Sequence, residues 1–473
     1  MKRILVAPGE LKVSADRSMI LETHLGSCVG VAMYDREATV GGLIHIMLPG
    51  GNNDKEATAP CLYAVSGIPL LIAEMEKLGA SKQRLAAAIA GGALILIDKK
   101  LSVDMNIGRR NSVMVKEVLK EEGIPIINED IGGNFGRTFG LELAAGKTKV
   151  ESASHRKEKI PFAGIPGEVR LNDLRRKIDK LKPVSEIARQ VISRIEYATC
   201  DINELEKIIL RDQALTANVL KICNSAYYGL PNRISSISKA VVFLGLKTLR
   251  NIVLTACIYN LYEDKLDGYS SKRGELFKHS ICCAIVSELI AKQKKLKDPE
   301  AVFTAGLLHD IGKVILDQYV FERFNLIIDK VVNEKRSFVA AEKELLGYDH
   351  TEVGGIVAED WRLPPFLVKA ISSHHQPEGG QEHAEVVAAV HIADGICSMI
   401  GAGCGVDGLA NRIHQEAVSI IDLNENDVDR IIEQLAEIMG RDELLWGNAG
   451  DCERTKSARR ALSSRPLILR KKK

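Results

Sequence analysis

The hydrophobic pattern changes character near residue 150, and this change constrains the fold more than any other feature of the sequence. Before it, short apolar runs at 29–33, 43–48 and 93–97 alternate with glycine-rich and helix-like segments, a pattern typical of an α/β domain. After about residue 169, apolar residues recur with the 3.6-residue period of a helix. We therefore predict an α/β domain at residues 1–150 and an all-α domain at residues 171–440.

Two polar segments flank the predicted helical domain. Residues 151–170 are rich in Ser, Lys and Pro and predict a linker. Residues 441–473 predict a disordered tail that is basic over its last twenty or so positions. The formal net charge of +2 is close to neutral, so we expect no specific nucleic-acid partner.

The sequence also indicates a compartment. It shows no signal-peptide pattern and no apolar stretch of transmembrane length, so we predict a cytoplasmic protein. Its 10 cysteines contain no Cys-x-x-Cys pair. In the cytoplasm they are expected to be reduced thiols.

Cys28 and His45 form the first candidate site. Taken singly, each also fits a buried core residue. A turn centred on Arg36 and Glu37, however, would pair residues whose numbers sum to 73, which places Cys28 opposite His45. A bulge at the glycines 41–42 could shift this register.

The pair has a clear chemical use. An imidazole beside a thiol takes its proton and holds the thiolate, which can attack an amide carbon. The oxyanion that develops needs backbone N–H donors, and we expect these at Gly26 and Ser27, beside Cys28.

Five short segments of the first domain match a known family, at residues 25–29, 45–49, 91–93, 106–111 and 132–134. In these segments the domain resembles the CheD family of chemoreceptor glutamine deamidases. The resemblance implies an α/β sandwich that hydrolyses selected receptor glutamines to glutamates without a cofactor, with Cys28 as nucleophile and His45 as base. It also implies methyl-accepting chemoreceptors as partners, and control by a CheC-type phosphatase that binds the same face.

One position departs from that family. The family's third catalytic residue is a threonine six positions before the cysteine, whereas this chain has Glu22 there and Thr23 next to it. Either a carboxylate or a hydroxyl can accept the imidazole N–H and fix its tautomer. Thr23 would face the opposite side of a strand from Glu22. The alternatives of Glu22, Thr23 or a simple Cys28–His45 dyad stay open at this point.

The helical half contains a second candidate site. The adjacent His309 and Asp310 can both bind one divalent metal ion, and Lys313 follows one helical turn later. Further residues are spaced as ligands that separate helices would supply: His279, His350, His374, His375 and Asp394.

Three segments of the helical half, at residues 211–216, 224–229 and 237–246, resemble the HDOD domains, helical relatives of HD phosphohydrolases that mostly serve as signalling modules. The resemblance covers about 181–394. It implies a signalling role, or an enzyme in which Lys313 stabilises phosphate charge beside the metal. The Gly-Tyr-Pro signature of the cyclic-dinucleotide phosphodiesterases does not follow His375.

Three functions are therefore open. The favoured one is a chemoreceptor glutamine deamidase with a regulatory HDOD domain. The second is a metal-dependent HD-type phosphohydrolase, and the third is a non-catalytic chemotaxis adaptor that binds a CheC-type phosphatase.

Overall fold

A computed structural model describes most of the chain. The described residues are 2–51, 56, 59–93, 107–133, 136–152, 170–180, 190, 202–225, 227–230, 233–262, 266–269, 273–402 and 413–441. Most of the predicted linker and almost all of the predicted tail lie outside them. So do most of the predicted strand at 93–97 and the asparagines at 106 and 134.

Two β-sheets form the first domain. The four-stranded sheet has the order β1-β3-β8-β9, and the five-stranded sheet has the order β2-β5-β4-β6-β7. The strands are β1 (Lys2–Leu5), β2 (Leu11–Ser14), β3 (Met19–Leu25), β4 (Val29–Asp35), β5 (Val40–Ile46), β6 (Ala86–Gly91), β7 (Ile126–Ile131), β8 (Arg137–Glu142) and β9 (Lys147–Ser152).

Alternation along the strands gives the five-stranded sheet two buried faces. Ala32 and Leu43 face Leu21 and Phe139 of the other sheet, whereas Val31 and other residues of opposite parity pack beneath two helices. These helices are α1 (Ala64–Lys77) and α2 (Ile107–Glu121). Because both faces are covered, β4 and β5 are apolar along most of their length.

The predicted turn between β4 and β5 is wrong by one residue. Asp35 pairs with Val40 and Gly30 pairs with His45, so the paired numbers sum to 75 and His45 lies opposite Gly30 rather than Cys28. The cause is a four-residue connection in which Thr39 adopts the left-handed conformation, with φ of 53°. A register shift of two residues keeps every side chain on its expected face.

The second region is helical, as the apolar period predicts. Its helices are α3 (Leu171–Lys180), α4 (Ile202–Leu210), α5 (Gln213–Cys223), α6 (Ile237–Leu244), α7 (Leu246–Tyr262), α8 (Glu275–Gln293), α9 (Pro299–Leu308), α10 (Ile311–Glu322), α11 (Phe324–Val332), α12 (Phe338–Leu346), α13 (His350–Asp360), α14 (Pro365–Ser373), α15 (Ala384–Ile400), α16 (Gln415–Ile421) and α17 (Glu425–Arg441). The fold-class prediction of an α/β domain followed by a helical domain is confirmed.

Two general features complete the fold. Within the described residues, no helix combines the length and the apolar character needed to cross a membrane, and no disulfide joins the cysteines of that part of the chain. Helix α8 packs against α9 and α15 at the centre of the helical region, and this packing positions the second site.

Candidate active site and histidine–aspartate centre

Cys28 lies in the short turn between β3 and β4, directly before β4. Its side chain is completely buried. The turn is held from one side, because the N–H groups of Gly92 and Ala93 donate to the carbonyls of Cys28 and Gly26, each at 2.8 Å. The backbone around the cysteine is therefore fixed by the end of β6.

The side chain of Asn111 also fixes this turn. Its Nδ2 donates to the Met47 carbonyl at 2.8 Å and to the Ser27 carbonyl at 3.3 Å. Helix α2 begins at Ile107, so Asn111 lies inside the helix. A buried amide that ties α2 to two loops is not visible in a sequence pattern.

His45 is the second-last residue of β5 and points between the two sheets. Its Nδ1 is 2.7 Å from Thr23 Oγ1, and the Thr23 hydroxyl donates to the Val6 carbonyl at 2.8 Å. Because the hydroxyl hydrogen is used on Val6, Thr23 accepts the Nδ1–H of His45. The tautomer this favours leaves the lone pair on Nε2, which has no hydrogen-bond partner among the described residues.

Glu22 and Thr23 occupy opposite faces of β3. Thr23 is fully buried and contacts the imidazole. Glu22 lies on the outer face, where its Oε2 is 2.6 Å from Arg3 Nη1. Of the alternatives left open by the sequence, the structure therefore brings Thr23, and not Glu22, to the imidazole of His45.

Burial controls the charge of both candidate catalytic groups. It raises the pKa of the Cys28 thiol to about 12. It also lowers the pKa of His45 to about 3, with a smaller contribution from His24. Both groups are therefore neutral in this closed arrangement, and a thiolate requires water or substrate at the site.

The predicted backbone donor Ser27 has a partner from the helical region. Its N–H donates to the Met399 carbonyl at 2.7 Å, and its hydroxyl donates to the same oxygen at 3.0 Å. The Cys28 thiol donates to the Ile400 carbonyl at 3.8 Å. The end of α15 thus covers the turn that carries Cys28.

The helical region brings all of its predicted ligands together. Asp310 lies at the centre, within 3.9 Å of an Nε2 atom from His279, His309, His350 and His374. Asp394 adds contacts at 3.2 Å to His279 and 3.8 Å to His375. The donor atoms fall into overlapping groups of three that lie within 4.8 Å of one another.

Four of these histidines are oriented by a hydrogen bond to Nδ1. His309 and His374 donate Nδ1–H to the carbonyls of the preceding turns, at 2.7 and 2.9 Å. His279 donates to the Ala402 carbonyl at 3.2 Å. His350 Nδ1 lies 2.6 Å from Glu342 Oε2. Each ring therefore presents Nε2 to the centre, the orientation that outer hydrogen bonds give to metal ligands.

The charges at the centre are strongly coupled. Burial alone would raise the pKa of Asp310, but His309 and Lys313 outweigh it and hold that pKa well below its usual range. Lys313 Nζ is 2.6 Å from Asp310 Oδ2. Burial would lower the pKa of His350, but Glu342 outweighs it and raises that pKa. Lys313 is thus engaged with Asp310 in this structure.

Comparison with known proteins identifies the family of the first domain. The model of the family described as CheD chemotactic sensory transduction matches residues 47–152. A probable chemoreceptor glutamine deamidase CheD from Desulforamulus reducens is 43% identical over 149 residues, which are 32% of this chain and 90% of that relative. This chain belongs to the CheD family. A Clostridium botulinum relative of the same name is 43% identical over 152 residues, or 94% of its length.

The CheD-family chain carries a second recognised domain. The HDOD domain model matches residues 181–377. A solved HDOD domain protein with unknown function from Geobacter sulfurreducens is 30% identical and covers 56% of this chain and 92% of its own, with a TM-score of 0.47. The CheD relatives align with about a third of this chain, so the helical region is additional to what they share with it.

Sequence reasoning missed two kinds of residue in this CheD-family chain. Glu342, which orients His350, is an ordinary helical glutamate in the sequence. Met399 and Ile400 look like core residues of an apolar helix, and it is their backbone carbonyls that meet the Cys28 turn. No side-chain pattern could have indicated a contact made by a main chain.

Proposed function

We propose that the first domain is a chemoreceptor glutamine deamidase, which converts protein glutamine and water to protein glutamate and ammonia. The names of the CheD relatives support the reaction and the receptor substrate. The observation that carries the proposal is the Thr23–His45 hydrogen bond. It leaves Nε2 of a buried neutral imidazole as the proton acceptor, on the inner face of the sheet that also carries Cys28.

The geometry of the sheet supports a Cys28–His45 mechanism. His45 lies opposite Gly30, and Cys28 is two residues earlier on the same face. Side chains in this diagonal relation are about 7–8 Å apart at Cα and within mutual reach. His45 Nε2 takes the proton of the Cys28 thiol, and the thiolate attacks the amide carbon of the substrate glutamine.

The later steps use the same groups. The Ser27 N–H stabilises the oxyanion, and His45 returns its proton to the leaving nitrogen, which departs as ammonia. Water, deprotonated by His45, then hydrolyses the thioester and releases glutamate and the thiol. Thr23 keeps the imidazole in the required tautomer throughout. A CheC-type phosphatase that binds this face would compete with the receptor.

The proposal is tested by substituting the nucleophile. Purified full-length protein and its Cys28→Ala variant are incubated with a receptor cytoplasmic fragment, and ammonia release and the one-dalton mass shift of each glutamine-containing peptide are measured. We expect no release from Cys28→Ala. Cys61→Ala, which changes a half-buried cysteine of the same domain, is the matched control and should retain activity. Equal release from Cys28→Ala and wild type would reject the mechanism.

A second candidate function is divalent-metal binding by the helical domain, with metal-dependent phosphohydrolysis as one possible use. The supporting observation is the set of rings held with Nε2 inward. Among the described residues, His309 Nε2, His374 Nε2 and Asp310 Oδ1 are buried without a hydrogen-bond partner. Imidazole nitrogens and carboxylate oxygens suit a divalent transition metal. When bound, such an ion would polarise a ligand oxygen and stabilise negative charge on it.

Metal binding is tested on the full chain with Glu342→Gln. We expect about 10- to 100-fold weaker affinity for Mn²⁺, because the support of His350 is lost. Glu344→Gln alters an exposed glutamate of the same helix that pairs with Lys330 at 2.7 Å, and it should bind as wild type does. A wild-type chain that holds no Mn²⁺ in equilibrium dialysis would reject this candidate.

A further inference from the structure

The carboxyl end of α15 lies directly on the turn that carries Cys28. We call residues 398–401 the covering segment. Its Met399 carbonyl accepts hydrogen bonds from the Ser27 N–H at 2.7 Å and the Ser27 hydroxyl at 3.0 Å. Its Ile400 carbonyl is 3.8 Å from the Cys28 sulfur. With the covering segment in place, the Cys28 side chain is 0% exposed.

The two backbones approach so closely that only glycine fits at the contact. A Cβ on Gly26 would lie 2.4 Å from the Met399 carbonyl oxygen and 2.9 Å from that of Ser398. On the other side, Gly401 has φ of +73°, and a Cβ there would lie 3.1 Å from the His24 carbonyl oxygen. The contact therefore depends on a glycine from each domain.

The chemistry of the contact matches what the active site binds. The last carbonyls of a helix have no partner within the helix and need a donor from elsewhere. The Ser27 N–H, which the proposed mechanism uses for the oxyanion, is that donor for Met399. A peptide carbonyl of α15 thus occupies the position expected for the amide carbonyl of a substrate glutamine.

A second helix anchors the arrangement through charged groups. Arg110 of α2 binds Asp429 of α17 through two nitrogens, at 2.7 and 3.3 Å. The Tyr63 hydroxyl donates to Glu433 Oε1 at 2.9 Å. Asp429 and Glu433 are four residues apart and so share one face of α17. The rim of the deamidase site therefore binds a helix that presents two carboxylates one turn apart.

We propose that the helical domain is an internal occupant of the deamidase's substrate-binding face, with the covering segment as a substrate mimic and α17 as its acidic anchor. This inference rests on the proposed function of the first domain. In this arrangement no receptor glutamine can reach Cys28. A helical receptor segment that carries carboxylates four residues apart would compete for Arg110 and Tyr63 and displace the helical domain.

The test measures exposure of Cys28 in the full chain, without requiring turnover. Native protein is treated with iodoacetamide, and alkylation of the Cys28 peptide is followed by mass spectrometry. We expect the D429R/E433R variant to react about fivefold faster than wild type, since partly exposed ion pairs and hydrogen bonds each contribute little. Gln434→Arg, an exposed neighbour on the same helix, is the matched control and should react at the wild-type rate.

A charge swap and an internal reporter sharpen the test. R110D and D429R should each speed alkylation of Cys28, and the double variant R110D/D429R should restore protection. Cys282, buried in the helical core, must stay unmodified in all of them, which shows that the helical domain remains folded.

The outcomes separate this inference from the function on which it rests. If the variants change the rate of Cys28 alkylation as expected but no form of the protein deamidates the receptor, the deamidase is rejected and the covering contact is supported. Identical Cys28 alkylation in wild type, D429R/E433R and R110D, with receptor deamidation intact, would reject the covering contact and keep the deamidase.

Discussion

The chain buries histidines in two regions that use them differently. In the sandwich, His45 stands alone, and its Nδ1 is held by the Thr23 hydroxyl. In the helical centre, several rings converge on Asp310 and Asp394, and each is held by a carbonyl or a carboxylate. Both regions leave Nε2 pointing inward. We propose that the first arrangement provides a proton acceptor and the second provides metal ligands.

For His309 and His350 the difference comes from the neighbouring charges, whereas burial lowers the pKa of His374 and His375 as it does that of His45. Burial lowers the pKa of His45 to about 3, because no carboxylate contacts its ring among the described residues. Burial also acts on His309 and His350, yet Asp310 and Glu342 outweigh it and raise the pKa of both. A neutral ring beside a thiol is suited to accept a proton, whereas a carboxylate beside a ring favours positive charge on it.

The largest expected effect comes from removing the central charge of the helical region. Asp310→Ala would leave Lys313, which is only 8% exposed, without its carboxylate. Breaking one partner of a buried pair costs about 3–5 kcal/mol. We expect a destabilisation of this size in thermal unfolding followed by helical circular dichroism.

Asp429→Ala is the matched control for that substitution, because its ion pair with Arg110 is about a quarter exposed on each side. It should change the free energy of unfolding by less than about 1 kcal/mol. Equal effects of the two substitutions would mean that the helical centre is not organised by charge.

The second effect concerns the support of His45. Thr23→Val removes the acceptor of the Nδ1–H while keeping the shape of the side chain. A general base contributes about 10²–10⁴ to the rate, and we expect loss of its orientation to lower kcat for receptor deamidation by about 10- to 100-fold. Glu22→Gln alters the adjacent residue on the outer face and should leave kcat within about twofold of wild type. The reverse order would make Glu22 the third member.

These residues show how far sequence reasoning reaches. The order of the two domains, the shared face of Cys28 and His45, and the seven candidate ligands that converge in the helical region all follow from periodicity, spacing and family motifs. The strand register does not, because a left-handed Thr39 has no clear sequence signal. The inward face of Thr23 depends on which sheet lies across from β3. The covering contact joins residues 372 positions apart through a main-chain carbonyl, and no local pattern encodes it.

The third effect is a pH dependence of the free energy of unfolding, which arises from His45 in the first domain. The pKa of His45 falls from an ordinary 6.5 to about 3 in the folded state, so only the unfolded state takes up a proton between these values. Its contribution to stability is complete above pH 6.5 and declines as the pH falls toward 3. At pH 5 the loss is about 2 kcal/mol. His45→Gln should lack this component of the pH dependence in urea unfolding, and identical slopes for both proteins would contradict it.

The smallest effect would link the two regions. His279 contributes Nε2 to the helical centre and donates its Nδ1–H to the Ala402 carbonyl, immediately after the covering segment. A cation on Nε2 makes that Nδ1–H a stronger donor. Mn²⁺ is a suitable probe because it prefers oxygen and imidazole to thiolate.

Saturating Mn²⁺ should therefore slow the alkylation of Cys28 about twofold, which corresponds to a hydrogen bond stronger by about 0.5 kcal/mol. The His374→Ala variant, which lacks one ligand of the centre, should show no slowing. Faster alkylation of Cys28 with Mn²⁺ would contradict this expectation. It would mean that the ion pulls His279 toward Asp310 and away from Ala402, which loosens the covering segment. Metal binding at the helical centre would then expose Cys28 rather than protect it.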